Sequence, residues 1–145
     1  MSGFVLSIGG VMAPSGNIPW VAAESVLAVN CPECAVVFLG GKLPELKRAA
    51  GLIIDGDAGA LSAGSPAGIQ LITCGRCGMN TVSITSDAGE TVTLSLNRAM
   101  TTLRGVCEPM ELPVERSGRS DFACMAEFAA DILLGNAEWD MGNAE

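Results

Sequence analysis

The sequence predicts a mainly β protein with a minor α part. Three observations carry that expectation. Several short segments alternate apolar and polar residues with period two, two Cys-x-x-Cys pairs are bracketed by such segments, and one amphipathic helical pattern stands near the C-terminus. A chain of 145 residues fits one domain, or a small domain with an appendage. Hydrophobic residues make up 49%, enough for a core, while 17% charged residues are too few for a charged disordered chain or a coiled coil.

Taken in order, residues 1–16 read as a short apolar strand followed by a loop at Gly9-Gly10 and Ala13-Pro14-Ser15-Gly16. Residues 18–30 mix strand formers (Val21, Val26, Val29) with helix formers (Ala22, Ala23, Glu24, Leu27), and strand is the choice made here. Residues 35–39 are a buried strand ended by Gly40-Gly41. Residues 43–50 predict a two-turn helix, with Pro44 at its first position and Gly51 just past its end. A loop of small residues spans 55–68, and strands follow at 69–73 and 81–85. In the last of these Val82 and Ile84 share one face; in 91–96 Val92, Leu94 and Leu96 do the same. Gly89, in the link between them, supplies the positive φ of a hairpin loop. Residues 108–119, with two prolines, read as an extended linker. Ser120 then caps a helix running to about Leu134, with Asp121 in its first turn and Gly135 after its end. Phe122, Met125, Ala126, Ala129, Ile132 and Leu133 fall on one side of that helix, Glu127 and Asp131 opposite, and Cys124 with them on the polar side.

Four of the six cysteines form two pairs, Cys31-Pro32-Glu33-Cys34 and Cys74-Gly75-Arg76-Cys77. A Cys-x-x-Cys turn converges two sulfurs, and two such turns supply four thiolates in a tetrahedron around Zn²⁺. Pro32 stiffens the first turn, and Gly75 and Gly78 permit a tight backbone in the second. The arrangement CPEC at 31–34 and CGRCG at 74–78 resembles the zinc-ribbon superfamily over roughly residues 21–85. Two departures stand out. The spacer, residues 35–73, is longer than the ~15–20 residues of a compact repeat, and Ala35 follows the first pair where many ribbons have Gly. The resemblance implies a zinc-ribbon-like β core, with the short helix inserted and the amphipathic helix at the C-terminus. It also implies one structural Zn²⁺ held by Cys31, Cys34, Cys74 and Cys77. Thiol–disulfide chemistry and structural disulfides are the competing uses of the same residues. Cys107 and Cys124 have no neighbour in sequence.

Other motifs fail on inspection. Gly40-Gly41-Lys42 suggests a phosphate loop, but Val36 stands where the first glycine belongs and Leu43 where Ser or Thr belongs. Asp55-Gly56-Asp57 suggests calcium, but Pro66 occupies the position of the bidentate Glu. With no His and no Tyr the commonest general acids and bases are missing, and Glu108, Glu111 and Glu115 sit in the proline-containing linker, so no catalytic residue is assigned.

The net charge is −8, and nine of the sixteen acids lie in residues 108–145, which disfavours nucleic acid as a partner. The N-terminal apolar stretch lacks the basic flank and cleavage site of a signal peptide, and no run reaches ~18 apolar residues. The organisation read from the sequence is a zinc-containing β domain over 1–107, a linker over 108–119, and a helix with an acidic tail over 120–145. The expected role is that of a non-enzymatic structural or assembly protein, in a virion (capsid-associated or tail) or the cytoplasm. Its partners would be proteins or further copies, without membrane or small-molecule substrate. A zinc-ribbon adaptor for transcription or replication machinery is the alternative. Trp20 and Trp139 are the candidate interface anchors.

Overall fold

The computed structural model describes residues 3–10, 18–57 and 68–135. It is mainly β, with one helix. Among the described residues there are twelve strands: β1 Phe4–Ile8, β2 Trp20–Ala23, β3 Ala28–Asn30, β4 Cys34–Phe38, β5 Glu45–Arg48, β6 Gly51–Asp55, β7 Leu71–Cys74, β8 Val82–Asp87, β9 Thr91–Leu96, β10 Met100–Thr102, β11 Gly105–Cys107 and β12 Met110–Glu115. The helix α1 covers Asp121–Leu133.

Eight strands form one sheet in the order β12-β9-β8-β7-β6-β4-β1-β2. From β2 to β8 the neighbours run parallel; β8, β9 and β12 are joined antiparallel. The chain also makes a small parallel pair of β3 and β5. Glu45 lies opposite Ala28 and Gly51 opposite Ala35, offsets of 17 and 16 residues. The backbone therefore passes twice from the small pair into the large sheet, in stacked coils like those of a β-solenoid.

Strand parity divides the core in two. On one face Val5, Ala35, Val37, Ile53, Ile72, Cys74, Val82 and Ile84 pack with α1. On the other, Ile8, Cys34, Val36, Phe38, Leu52 and Ile54 pack under Val29 of β3 and Leu46 of β5. The layers are thus helix, sheet and a short two-stranded cover, all three built by alternation along β1, β4 and β6.

The 81–96 hairpin forms as expected, with Gly89 at φ 93° and a register shift between Ile84 and Ser86. Ser120 caps α1, its hydroxyl accepting from the Ala123 amide at 3.1 Å, and Gly135 follows at φ 67°. The segment 18–30 is extended, as chosen, but divides into β2 and β3.

Three expectations need correction. Residues 45–48, predicted helical, are β5. Leu46 turns inward while Glu45, Lys47 and Arg48 point out, and pairing with β3 outweighs the helical preference of Leu, Lys and Arg. The 108–119 linker contains β12, which closes the sheet against β9 from Met110↔Leu96 to Glu115↔Thr91. Pro113 is compatible with this because β12 is an edge strand. The polar side of α1 is not a solvated face either: Glu127 is 6% exposed and Cys124 1%. Arg119 reaches over the helix to pair with Glu127, which offsets the cost of burying that carboxylate. Among the described residues no helix is long and apolar enough to cross a membrane.

Candidate functional site

The two Cys-x-x-Cys pairs form two turns, and the structure does not bring them together. Cys34 opens β4 and stands level with Ala50 just before β6, whereas Cys74 ends β7 and stands level with Asp55 at the far end of β6. The separation is about 16 Å along the strands and about 10 Å across two strand spacings. The sulfurs of a Zn²⁺ tetrahedron lie about 4 Å apart. Parity adds a second obstacle: Cys34 packs into the cluster under β3 and β5, and Cys74 into the cluster under α1. Among the described residues, no three or more of His, Cys, Asp and Glu gather as metal ligands do. The single four-sulfur ion and the ribbon core expected from the spacing are therefore not built within one chain. All six cysteines are thiols here.

The first turn is closed by the Cys34 amide donating to the Cys31 carbonyl at 3.2 Å. Three further backbone bonds frame it. Cys31 donates to Arg48 O at 3.0 Å, Phe4 donates to Glu33 O at 3.2 Å, and Ala50 donates to Cys34 O at 2.7 Å. The Cys34 thiol is pushed up to about 12 by burial, with Cys31 adding to the shift. Beside the turn lies a cleft of about 460 Å³, lined by Pro32, Ala49, Ala50 and Gln70 and by Thr101 and Leu103 near the β10–β11 hairpin.

The second turn is held by side chains as well as backbone: the Gly75 amide donates to Val82 O at 3.1 Å, the Asn80 amide to Cys77 O at 3.0 Å and the Gly56 amide to Cys74 O at 2.8 Å. Asp57 accepts from the Arg76 amide at 2.9 Å, and Asn80 donates to Cys77 O at 2.9 Å. Cys74 is fully buried and its thiol is raised by burial, with Asp55 contributing; Cys77 is exposed. Here β7 and β8 share a single backbone pair, Cys74↔Val82. Thr73 and Thr81 make up the deficit, each hydroxyl accepting the other residue's amide, at 3.2 and 3.0 Å.

Arg76 continues into a closed ring of charges that sequence reasoning missed. It pairs with Asp87 at 2.6 Å and Asp121 at 2.9 Å, and Arg116 pairs with the same two at 3.2 and 2.7 Å. The ring ties the second turn, the end of β8, the end of β12 and the start of α1. Hydrogen bonds from Arg76 and the Gly89 amide, with the Arg116 charge, hold the Asp87 carboxyl at about 2. Asp121 is lowered by the same two arginines. Sequence gave no signal for the ring, whose members are distant along the chain.

Of the remaining candidates, Gly40 and Gly41 line a cleft of about 450 Å³ with Gly9, Gly10, Ala22, Ala23 and Glu24 at the C-terminal ends of β1, β2 and β4. Glu24 is the one charged side chain among these, a poor match for phosphate. Trp20 is half-buried on β2, packed against the helix-side cluster, while Trp139 lies outside the described residues. No family model matches the chain, and neither does any curated protein or solved structure.

The two edges of the large sheet differ most. β12 carries Pro113 and the exposed Glu111 and Glu115. Such residues block pairing with another strand. β2, Trp20–Ala23, carries neither charge nor proline, and Val21 is 51% exposed. Val5 of β1 and Gly9 just past its end donate to Pro19 O and Ala23 O. By ladder alternation the amides and carbonyls of Trp20 and Ala22 then face away from the sheet, and no described strand meets them.

Proposed function

We propose that this chain is a non-enzymatic assembly protein that joins copies of itself through β2. A capsid-associated or tail component of a virion is the setting its composition fits. The observation that carries the reading is the contrast between a guarded edge and an open one. A twofold axis at Val21 sets two β2 strands antiparallel, Trp20 of one copy facing Ala22 of the other, and makes one continuous sheet. The choice of β2 over β12 for a contact between copies rests on charge. A chain of net charge −8 repels its own kind except where the contact is neutral, and β2 is neutral whereas β12 would oppose Glu111 to Glu115.

The test is Ala22→Pro, which removes an outward amide that no described strand uses and copies what Pro113 does on the other edge. In analytical ultracentrifugation we expect the wild type to sediment as a dimer or larger at tens of micromolar. Ala22→Pro should sediment as a monomer with an unchanged far-ultraviolet circular dichroism spectrum. A monomeric wild type, or an Ala22→Pro protein that still assembles, overturns the reading.

A further inference from the structure

We propose that Cys31 and Cys34 form a redox-active dithiol that closes to a disulfide by exchange with a low-molecular-weight disulfide of the glutathione class, while Cys74 and Cys77 do not. The proposal is independent of assembly through β2. Two observations separate the turns. In the first, the Cys34 amide bonds to the Cys31 carbonyl, which closes a four-residue turn. Such a turn keeps its end Cα atoms within about 7 Å, and a disulfide spans about 4.4–6.8 Å between Cα atoms. Both side chains also pack into one cluster, that under β3 and β5, so the sulfurs lie on the same side of the backbone. In the second turn the bond that closes is from the Asn80 amide to Cys77 O, one turn later. Cys74 enters the helix-side cluster and Cys77 faces solvent.

The setting favours reaction at the first turn. Backbone bonds to Phe4 on one side and to Arg48 and Ala50 on the other hold it from two neighbouring segments. Cys31 is half-buried and Cys34 buried. The outer Cys31 sulfur, as thiolate, attacks one sulfur of the small disulfide. A bond forms to Cys31, the old S–S bond breaks, and one small thiolate leaves and takes up a proton. Cys34, whose buried thiol makes this the slower exchange, then loses its proton to water and attacks the Cys31 sulfur; the bond from Cys31 to the small group breaks, and the second small thiolate departs and takes up a proton. Two protein thiols are oxidised by two electrons, and one small disulfide is reduced to two thiols.

The test uses the full-length native protein, equilibrated across ratios of oxidised to reduced glutathione, quenched in acid, alkylated and mapped by mass spectrometry. We expect two of the six thiols to be lost together at oxidising ratios, in one cross-linked peptide pair joining Cys31 to Cys34, and recovered on returning to reduced glutathione. Cys34→Ser should instead retain a glutathione adduct on Cys31, because the resolving sulfur is gone. Cys31→Ser should leave Cys34 unmodified. A Cys74–Cys77 link that forms at the same ratio or a more reducing one overturns the proposal, as does the absence of a Cys31–Cys34 link across the whole series. Neither result bears on whether Ala22→Pro disperses the assembly.

Discussion

The two faces of the large sheet are covered by different means. On one, a thirteen-residue helix lies across β4, β6, β7 and β8, and brings polar groups with it: the buried Glu127 and Cys124 and the half-buried Asp131. On the other, two short strands, β3 and β5, contribute Val29 and Leu46 to a layer of aliphatic side chains with Phe38 and the Cys34 thiol, and among the described residues no charged side chain is buried there. One face receives Cys31 and Cys34 at one end of the strands, the other receives Cys74 at the opposite end while Cys77 faces solvent. The comparison teaches that Cys-x-x-Cys spacing specifies a turn and no more. Which sulfurs meet is decided by the end of the strand on which the turn sits and by which way the alternation points the side chain.

The difference in cover is testable by truncation on both sides. Leu133 is fully buried and its Cδ atoms fill the space above Gly51, which has no side chain to move into a hole. Leu133→Ala should cost about 4 kcal/mol, near the upper end for such a change. Leu46, 7% exposed in a four-residue strand, should cost about 2 kcal/mol when cut to Ala, since the thin cover collapses more easily. Urea unfolding of both variants reads the two numbers. Equal costs would show that β3 and β5 are as integral to the core as the helix.

The parts legible in the sequence are those whose causes are local. The hairpin of β8 and β9 is written in alternation and in Gly89, and α1 in its Ser120 cap and the Gly135 stop. The parts that misled are set by distant pairing. Glu45–Arg48 reads as helix until Ala28–Asn30 lies beside it, and Met110–Glu115 reads as linker until β9 offers its edge. The same holds for the site. Each cysteine turn was visible, but their separation depends on the register of β4, β6 and β7 together. The Arg76–Asp87–Arg116–Asp121 ring joins residues up to 45 positions apart, and nothing in a linear pattern marks it.

The helix side carries its own titration. Burial, with the neighbouring Glu127 charge, raises the Asp131 carboxyl to about 7, against a partial opposing pull from Arg119. The native state therefore keeps a proton that the unfolded chain releases near pH 4. Stability falls as pH rises from about 4 to about 7, and the full cost is present above that window. Asp131→Asn removes the cost. We expect it to stabilise the protein by on the order of 3 kcal/mol at pH 8 and by nearly nothing at pH 4, read as the unfolding midpoint against pH. A pH-independent gain would mean that the carboxylate is solvated in the native state. The other face has no buried carboxylate, and Leu46→Ala should carry no such pH dependence.

The smallest effect separates two glycines within the second turn. A Cβ on Gly75 would press on the Asp57 carboxylate and the Asn80 amide, and both are fixed, Asp57 by the Arg76 amide and Asn80 by Cys77 O. A Cβ on Gly78 meets nothing within 4 Å. Gly75→Ala should therefore lower stability by about 1–3 kcal/mol, and Gly78→Ala should fall within about 0.5 kcal/mol of wild type. The same thermal or urea unfolding curve reads both. If the two substitutions cost the same, the Asp57 and Asn80 side chains do not fix this turn beyond what its backbone bonds do. If they differ as expected, the second turn is rigid for reasons unconnected with its sulfurs, and Cys77 projects from a frame that keeps it away from Cys74.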